Sequence, residues 1–376
     1  MPVTFLWRPP INGMNFIAAK EGDRWKHARK STSAAFSSEN MKAMVDVVHT
    51  VMNKWIQDQL SSDDSSVDID ILSEMNKITS NVICEAAFDY DLKDDERETI
   101  LDCLQICWRE FGQKAMTNPW RKHHVTKWAF PGIRQGHRAA QQLHAHCTKM
   151  LHEYRTRIHT NPQPHKIIHM IHNDTAYEND DERVCDMVAY CIAGFDTTAN
   201  TLAFGFRELA LNQSEQTKLR ETLQQCHTPE EARVAVKHVA KEMMRLYPAA
   251  ATGSVRVLGE DMKVPGSASR LIPKGSIVLI PIYAVQRNPQ VFGSNANDFV
   301  PERWENPSPE QMKAFVNFVA GKRNCQGQSL AMAETTEVLA RLCRDYKFDI
   351  VEAGQAENIV LFKPVGTVLR ATKVVV

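Results

Sequence analysis

Several things are scarce or missing in this chain. Its 376 residues hold no apolar run long enough to cross a membrane. The longest strongly apolar stretch, 277–285, is short and contains Pro281, which favours a strand. No signal-peptide pattern stands at Met1. Neither charge is in excess, since 45 Lys and Arg balance 45 Asp and Glu, so overall charge points to no nucleic-acid partner. The nine cysteines are odd in number, irregular in spacing and free of any C-x-x-C pair. That argues against a disulfide framework and for a reducing environment. No G-x-G-x-x-G occurs, so the chain shows no flavin or nicotinamide fingerprint of its own. Residues 111–152 contain no Asp or Glu, but include Lys114, Arg121, Lys122, Lys127, Arg134 and Arg138 with Trp120, Trp128 and Phe130 interleaved. Histidines gather at 144 and 146 and at 165, 169 and 172. Without a matching carboxylate or cysteine constellation they read as ordinary helical surface rather than a metal site.

What is present is mostly helical in pattern. Residues 24–36 read as one helix. Residues 39–60 follow, with Met41, Met44, Val45, Val48, Val51, Met52, Trp55 and Ile56 at helical spacing. Ser61-Ser-Asp-Asp-Ser-Ser breaks the chain. Helices are then predicted over 71–88, 98–111 and about 136–158. The longest periodic segment, 180–210, predicts a buried helix. Two more cover 213–226 and 230–246, the last stopped by Tyr247-Pro248. Beyond Pro248, residues 255–264 and 276–282 look like strands, 289–317 is irregular, 330–346 is helical and 358–376 gives short strands. Helices first and a few short strands late predict one mainly α domain over 1–376 with small β-sheets.

The most specific signal is Phe318-Val-Ala-Gly-Lys-Arg-Asn-Cys-Gln-Gly327, which reads Phe-x-x-Gly-x-Arg-x-Cys-x-Gly. Gly321 permits a sharp turn where a Cβ would clash. Gly327 lets the backbone pass close to the Cys325 sulfur. A helix starts at about Ser329, so Cys325 lies near a helix N-terminus, where partial positive charge and free N–H groups favour a thiolate. Arg323 is a fixed cation suited to a carboxylate. Phe318 can shield the sulfur from water. Together these suit a loop that presents one thiolate to a haem iron.

These residues closely resemble the ligand loop of the cytochrome P-450 superfamily. Four further segments match that family in order, from about Gly13 onward. The resemblance implies a cytochrome P-450 fold lacking its N-terminal part, with Cys325 as axial thiolate of a heme b. Ala193-Gly-Phe-Asp-Thr-Thr198 is implied to cross the distal face of the haem. Gly194 removes a side chain there, making room for a bulky neighbour or for dioxygen. By the resemblance, Thr197 hydrogen-bonds the oxygen under activation and Asp196 feeds protons to it. Glu242-Met-Met-Arg245 sets an acid and a base on one helix face. With Arg303 of Pro301-Glu-Arg-Trp304, the family implies a buried ion network that specifies the fold around the Cys loop rather than catalysis. Trp25 and Arg29 stand i, i+4 on one helix. The family uses that pair, with Arg256 and Arg323, to hold haem propionates.

The implied activity is a monooxygenase that inserts one atom of dioxygen into a small apolar substrate. Electrons would come from a separate NADPH-dependent flavoprotein reductase, for which Arg24, Lys26, Lys30 and Lys322 offer a basic docking face. Two alternatives stand beside it. One is a haem-thiolate peroxide isomerase or dehydratase, against which Asp196 and Thr197 argue. The other is a haem-free pseudoenzyme, suggested by the short stretch before Trp25. Complete members carry an anchor or leader, a first helix and several strands there, so the chain is read as an N-terminally incomplete copy. The full-length parent is then expected on the cytosolic face of the endoplasmic reticulum membrane. The basic, aromatic segment 119–131 fits peripheral membrane contact or, equally, a solvated loop. Gln326 follows the cysteine where the family often has a small apolar residue, and is expected to add a polar group near the sulfur. Ala193 stands where some fatty-acid hydroxylases of the family carry a haem-esterifying Glu, which excludes that attachment.

Overall fold

The computed structural model describes residues 15–17, 22–60, 66–110, 130–264, 266, 270–358 and 360–374. Helices α1 (Asp23–Ser33) and α2 (Ser38–Leu60) lead into strand β1 (Ser66–Asp70), then α3 (Ile71–Phe88) and α4 (Asp94–Cys107). Next come α5 (Pro131–Arg157), the short α6 (Ile167–Asn173), α7 (Asp180–Leu211), α8 (Gln213–Gln225) and α9 (Pro229–Leu246). Four short strands follow, β2 (Ser254–Val257), β3 (Met262–Lys263), β4 (Leu271–Ile272) and β5 (Ile277–Ile280), then the one-turn helices α10 (Ile282–Val285), α11 (Pro289–Phe292) and α12 (Pro309–Ala314). The described chain closes with α13 (Gln328–Asp345) and the long strands β6 (Tyr346–Asn358) and β7 (Phe362–Lys373). The molecule is mainly helical with small antiparallel sheets, as the patterning predicts.

Helix α7 is the axle. Asn179 caps it by accepting from the Glu182 N–H at 3.0 Å, and Asp180, Asp181 and Glu182 crowd its first turn, where the helix dipole favours negative charge. Its first half, through Phe195, packs into one apolar core with α4, α5 and α6. Its second half, from Ala199, packs into another with α2, α8, α9 and α13. Ile71, Met75, Ile78 and Val82 of α3 recur at helical spacing, are wholly buried and belong to that second core. Each such side chain contributes roughly 1.5–3 kcal/mol of burial. Asp196, Thr197 and Thr198 lie where the two cores meet.

The structure departs from the sequence reading in several places. Strand 255–264 is two strands, β2 and β3, on different sheets. The 277–285 stretch is strand only to Ile280; Pro281 then precedes α10. Strands β1 and β6 were not foreseen. Together with β7 they make a sheet of order β1-β7-β6, with Asp68 paired to Arg370 in register and by a bidentate contact at 2.7 and 2.8 Å. Helix α4 starts at Asp94 and α5 at Pro131, each a turn or more earlier than the pattern suggested. The segment 111–129, with its basic and aromatic residues, lies outside the described residues. No described helix is long and apolar enough to cross a membrane.

Candidate functional site

The loop before α13 is built by backbone first. Val319 takes φ 59 and Gly321 φ 77, and the Cys325 N–H donates to the Phe318 carbonyl at 2.9 Å. A left-handed backbone suits Gly321, but a β-branched Val319 is held there at a cost of about 1–3 kcal/mol. Gly327 has an ordinary φ of −84 and opens α13. The nearest atom to a Cβ built on it is Phe36 Cε1 at 3.9 Å, so space rather than backbone freedom is what it provides.

Helix α1 grips this loop at two adjacent residues. The buried Trp25 indole lies under the Arg323 guanidinium, 4.1 Å from ring centroid to Cζ. One turn on, Arg29 donates to the Asn324 carbonyl at 3.0 Å and to the Asn324 side-chain oxygen. Cys325 is exposed to a cavity of about 440 Å³, lined also by Arg29, Ser33, Phe36, Gln328 and Met332. The surrounding protein still crowds the sulfur, and this burial pushes the thiol up from its ordinary range, opposed by the Gly327 backbone N–H and the Arg29 charge. The sulfur lies below the molecular envelope yet faces the cavity.

On α7, Tyr190, Ala193 and Thr197 fall on one face at i, i+3 and i+7. Tyr190 is buried, but Ala193 is exposed and Gly194, Asp196 and Thr197 are half-buried, between buried residues on either side along the helix. That face therefore looks into open space. Tyr190 also donates to Gln326 Oε1 at 3.3 Å, which ties the same face to the residue after Cys325. Thr197 Oγ1 donates to its own Ala193 carbonyl at 2.9 Å. Asp196 points elsewhere: it accepts from Trp108 Nε1 at 3.1 Å and Asn200 Nδ2 at 3.3 Å. Burial raises its pKa, opposed by the charge of Lys363 and these two donors. It lines a small cavity of about 30 Å³ with Trp108, Asn76, Asn200 and Lys363, room enough for one water. The space Gly194 leaves is taken by Ile83 of α3, because a Cβ there would stand 2.5 Å from Ile83 Cγ1. Ile83 is thus the bulky neighbour for which this glycine makes room.

The ion network is complete. Glu242 accepts from Arg245 Nε and Nη2 at 2.8 Å each, from Trp304 Nε1 at 2.8 Å, from the Val300 N–H at 3.0 Å and from Arg303 Nε at 3.4 Å. Arg245, with no exposed side-chain surface, also donates to the carbonyls of Gln286, Ala296 and Asp298. Arg303 donates to the carbonyls of Phe292 and Asn295. Trp304 meets Phe315 edge to face at 5.1 Å, three residues before Phe318. The network thus fixes the irregular segment that delivers the Cys325 loop.

Other nominated residues behave differently. Arg256 gives its guanidinium to the Ser254 hydroxyl and Val255 carbonyl of its own strand. Arg24 is not a free member of a basic face: it pairs with Glu182 at 2.6 Å. Lys30 and Lys322 remain exposed. His169 bonds Tyr154 and Asn173, His172 takes a bond from Arg155, and no group of three metal-ligating side chains occurs among the described residues. Gln326 does not leave a spare polar group beside the sulfur, since its amide nitrogen goes to the Arg29 carbonyl and Thr32. Sequence reasoning missed Asn324, Thr32, Tyr190 and Trp304. Trp304 alone carried a signal, as the neighbour of Arg303.

The donor set fits a haem. One accessible thiol, two guanidiniums converging on its loop, and an open helix face bearing a hydroxyl are what such a group requires. Comparison with known proteins agrees. A family model described as Cytochrome P450 matches residues 8–375. The chain is similar to Cytochrome P450 714B2 of Oryza sativa subsp. japonica, 26% identical over 86% of this chain and 61% of that protein. It is similar to Cytochrome P450 6a9 of Drosophila melanogaster, 26% identical over 91% of this chain and 72% of that protein. Cytochrome P450 52A3-B of Candida maltosa is 34% identical over 42% of this chain and 34% of its own length. The chain thus spans between about a third and three quarters of the length of these relatives.

Proposed function

The chain belongs to the cytochrome P450 family, and on that premise we propose that it is a haem-dependent monooxygenase acting on an apolar organic substrate. When bound, the haem supplies dioxygen activation, and a thiolate ligand favours O–O cleavage over reversible oxygen binding. Cys325 is the residue to hold the iron. Arg29 and Arg323 are the cations to hold the haem carboxylates, already oriented by Asn324 and Trp25. Thr197 stands on the open face of α7, and its oxygen keeps a lone pair to accept a hydrogen bond while its own proton is donated to the Ala193 carbonyl. Asp196, with its raised pKa, holds a proton more readily than an exposed carboxylate, and Trp108 and Asn200 keep it in place.

The observation that carries the reading is the accessible Cys325 thiol, gripped through its neighbours by α1 and facing a cavity. A heme of b type, electrons from a separate flavoprotein reductase, and an endoplasmic reticulum membrane setting belong to the same proposal. The test uses the chain loaded with haem, a microsomal-type reductase and a panel of lipids and terpenoids. The expected result is a substrate-induced spin-state shift and an oxygenated product that requires reductant. Turnover of hydroperoxides without reductant, and no product with it, would establish the isomerase alternative instead.

A further inference from the structure

Gln326, the residue beside the proposed ligand, closes a three-membered ring of side chains. Its Nε2 donates to Thr32 Oγ1 at 3.0 Å. Thr32 Oγ1 and Tyr190 Oη lie 2.6 Å apart, and Tyr190 Oη donates to Gln326 Oε1 at 3.3 Å. With the Thr32 hydroxyl donating to Tyr190, the Tyr190 hydroxyl donates to Gln326 and the Gln326 amide back to Thr32; the Ala28 carbonyl, 2.9 Å from Thr32 Oγ1 in the same helix, competes for that one hydroxyl proton. The second amide proton of Gln326 goes to the Arg29 carbonyl at 3.2 Å. Thr32 and Tyr190 are buried, where such bonds reinforce one another and an unmade one is costly. Phe16 stacks on the Tyr190 ring at 4.2 Å, which fixes the phenol from its other side.

The ring joins three elements. Thr32 belongs to α1, three residues past Arg29; Gln326 to the ligand loop; Tyr190 to α7. Tyr190 shares its helix face with Thr197, seven residues or about 10 Å along the axis. We propose that Gln326, Thr32 and Tyr190 are positioning residues: their ring sets the separation between the Cys325 sulfur and the Thr197 face of α7. The proposal rests on the reading of Cys325 as haem ligand. A small apolar residue at 326 would leave this clamp unformed.

The test compares the full chain with its Gln326→Leu, Tyr190→Phe and Thr32→Val variants, and with the Tyr190→Phe/Gln326→Leu double. Without haem, hydrogen exchange is followed over residues 321–327. The expected result is exchange about tenfold faster in Gln326→Leu, the equivalent of about one buried hydrogen bond. Tyr190→Phe should be affected less, and should add little in the double because the ring is already open. With haem, the reduced carbon-monoxide form of Gln326→Leu should lose its red-shifted thiolate band to the blue-shifted band several-fold faster than wild type, with a shifted reduction potential. Exchange within twofold of wild type in Gln326→Leu, or additive effects in the double, overturns the proposal. If Gln326→Leu does not fold, Tyr190→Phe alone decides, since it removes a single hydroxyl: unchanged exchange overturns the clamp. If wild type binds no haem, the ligand reading falls while the exchange arm still decides the clamp.

Discussion

Glu242 and Cys325 are both held by arginines, yet the fold treats them oppositely. Glu242 has no exposed surface and accepts from five donors, so its two oxygens are filled by the protein itself. Cys325 is exposed, its side chain faces a cavity, and the arginines near it are spent on its neighbours rather than on the sulfur. The first site is finished by the chain alone and can only brace. The second is held at its edges by Arg29 and Trp25 and leaves the thiol facing a cavity. Buried charge networks are costly unless complete, and completeness is what separates the two.

The largest effect should come from breaking the finished site. Glu242→Ala leaves Arg245 buried without its partner and should cost about 3–5 kcal/mol, read as a fall in the urea midpoint of the haem-free chain. A midpoint near that of wild type would mean the network is not what braces the segment. Opening the other site further should behave differently. Arg29→Ala should lower haem-free stability by only about 1.5 kcal/mol, through its bonds to Asn324, while weakening haem retention roughly tenfold further. Equal losses with and without haem would place Arg29 with Glu242 rather than with Cys325. A smaller effect is expected at the open side of α7. Thr197→Val keeps the shape but removes the hydroxyl, so oxygenated product per electron consumed should drop while haem content and the thiolate spectrum hold. An unchanged coupling ratio would remove Thr197 from proton delivery. The smallest effect concerns the exposed cations. Lys322→Glu should slow reduction by the reductase at low salt and little at high salt, because exposed charges are screened. A rate insensitive to both would leave the docking face unsupported.

Much of this contrast was legible from residue spacing. Helix α2 showed its apolar stripe, and Trp25 with Arg29 announced one helix face. The acid and arginine of Glu242-x-x-Arg245 did the same, since i, i+3 neighbours meet whatever surrounds them. Strand β1 was hidden because it follows a Ser/Asp linker and pairs with a strand some 300 residues away, as in Asp68 with Arg370. Local sequence carries no trace of such a partner. Asn324, Thr32 and Tyr190 were hidden for another reason. Each is an ordinary polar residue whose meaning comes only from convergence in space. Arg256 was nominated by position alone, and its hydrogen bonds stay within its own strand. Gly194 was read for the space it leaves, but which neighbour fills that space needed Ile83 in place.

The most direct measurement is the absorption spectrum of the reduced, carbon-monoxide-treated chain, purified with porphyrin supplied, beside its Cys325→Ala variant. Wild type should show the strongly red-shifted Soret band of a thiolate-ligated haem, and the variant should lose that band and most of its iron while remaining folded. A variant that keeps the same iron content and the same band would contradict the assignment of Cys325, and with it the site described around it.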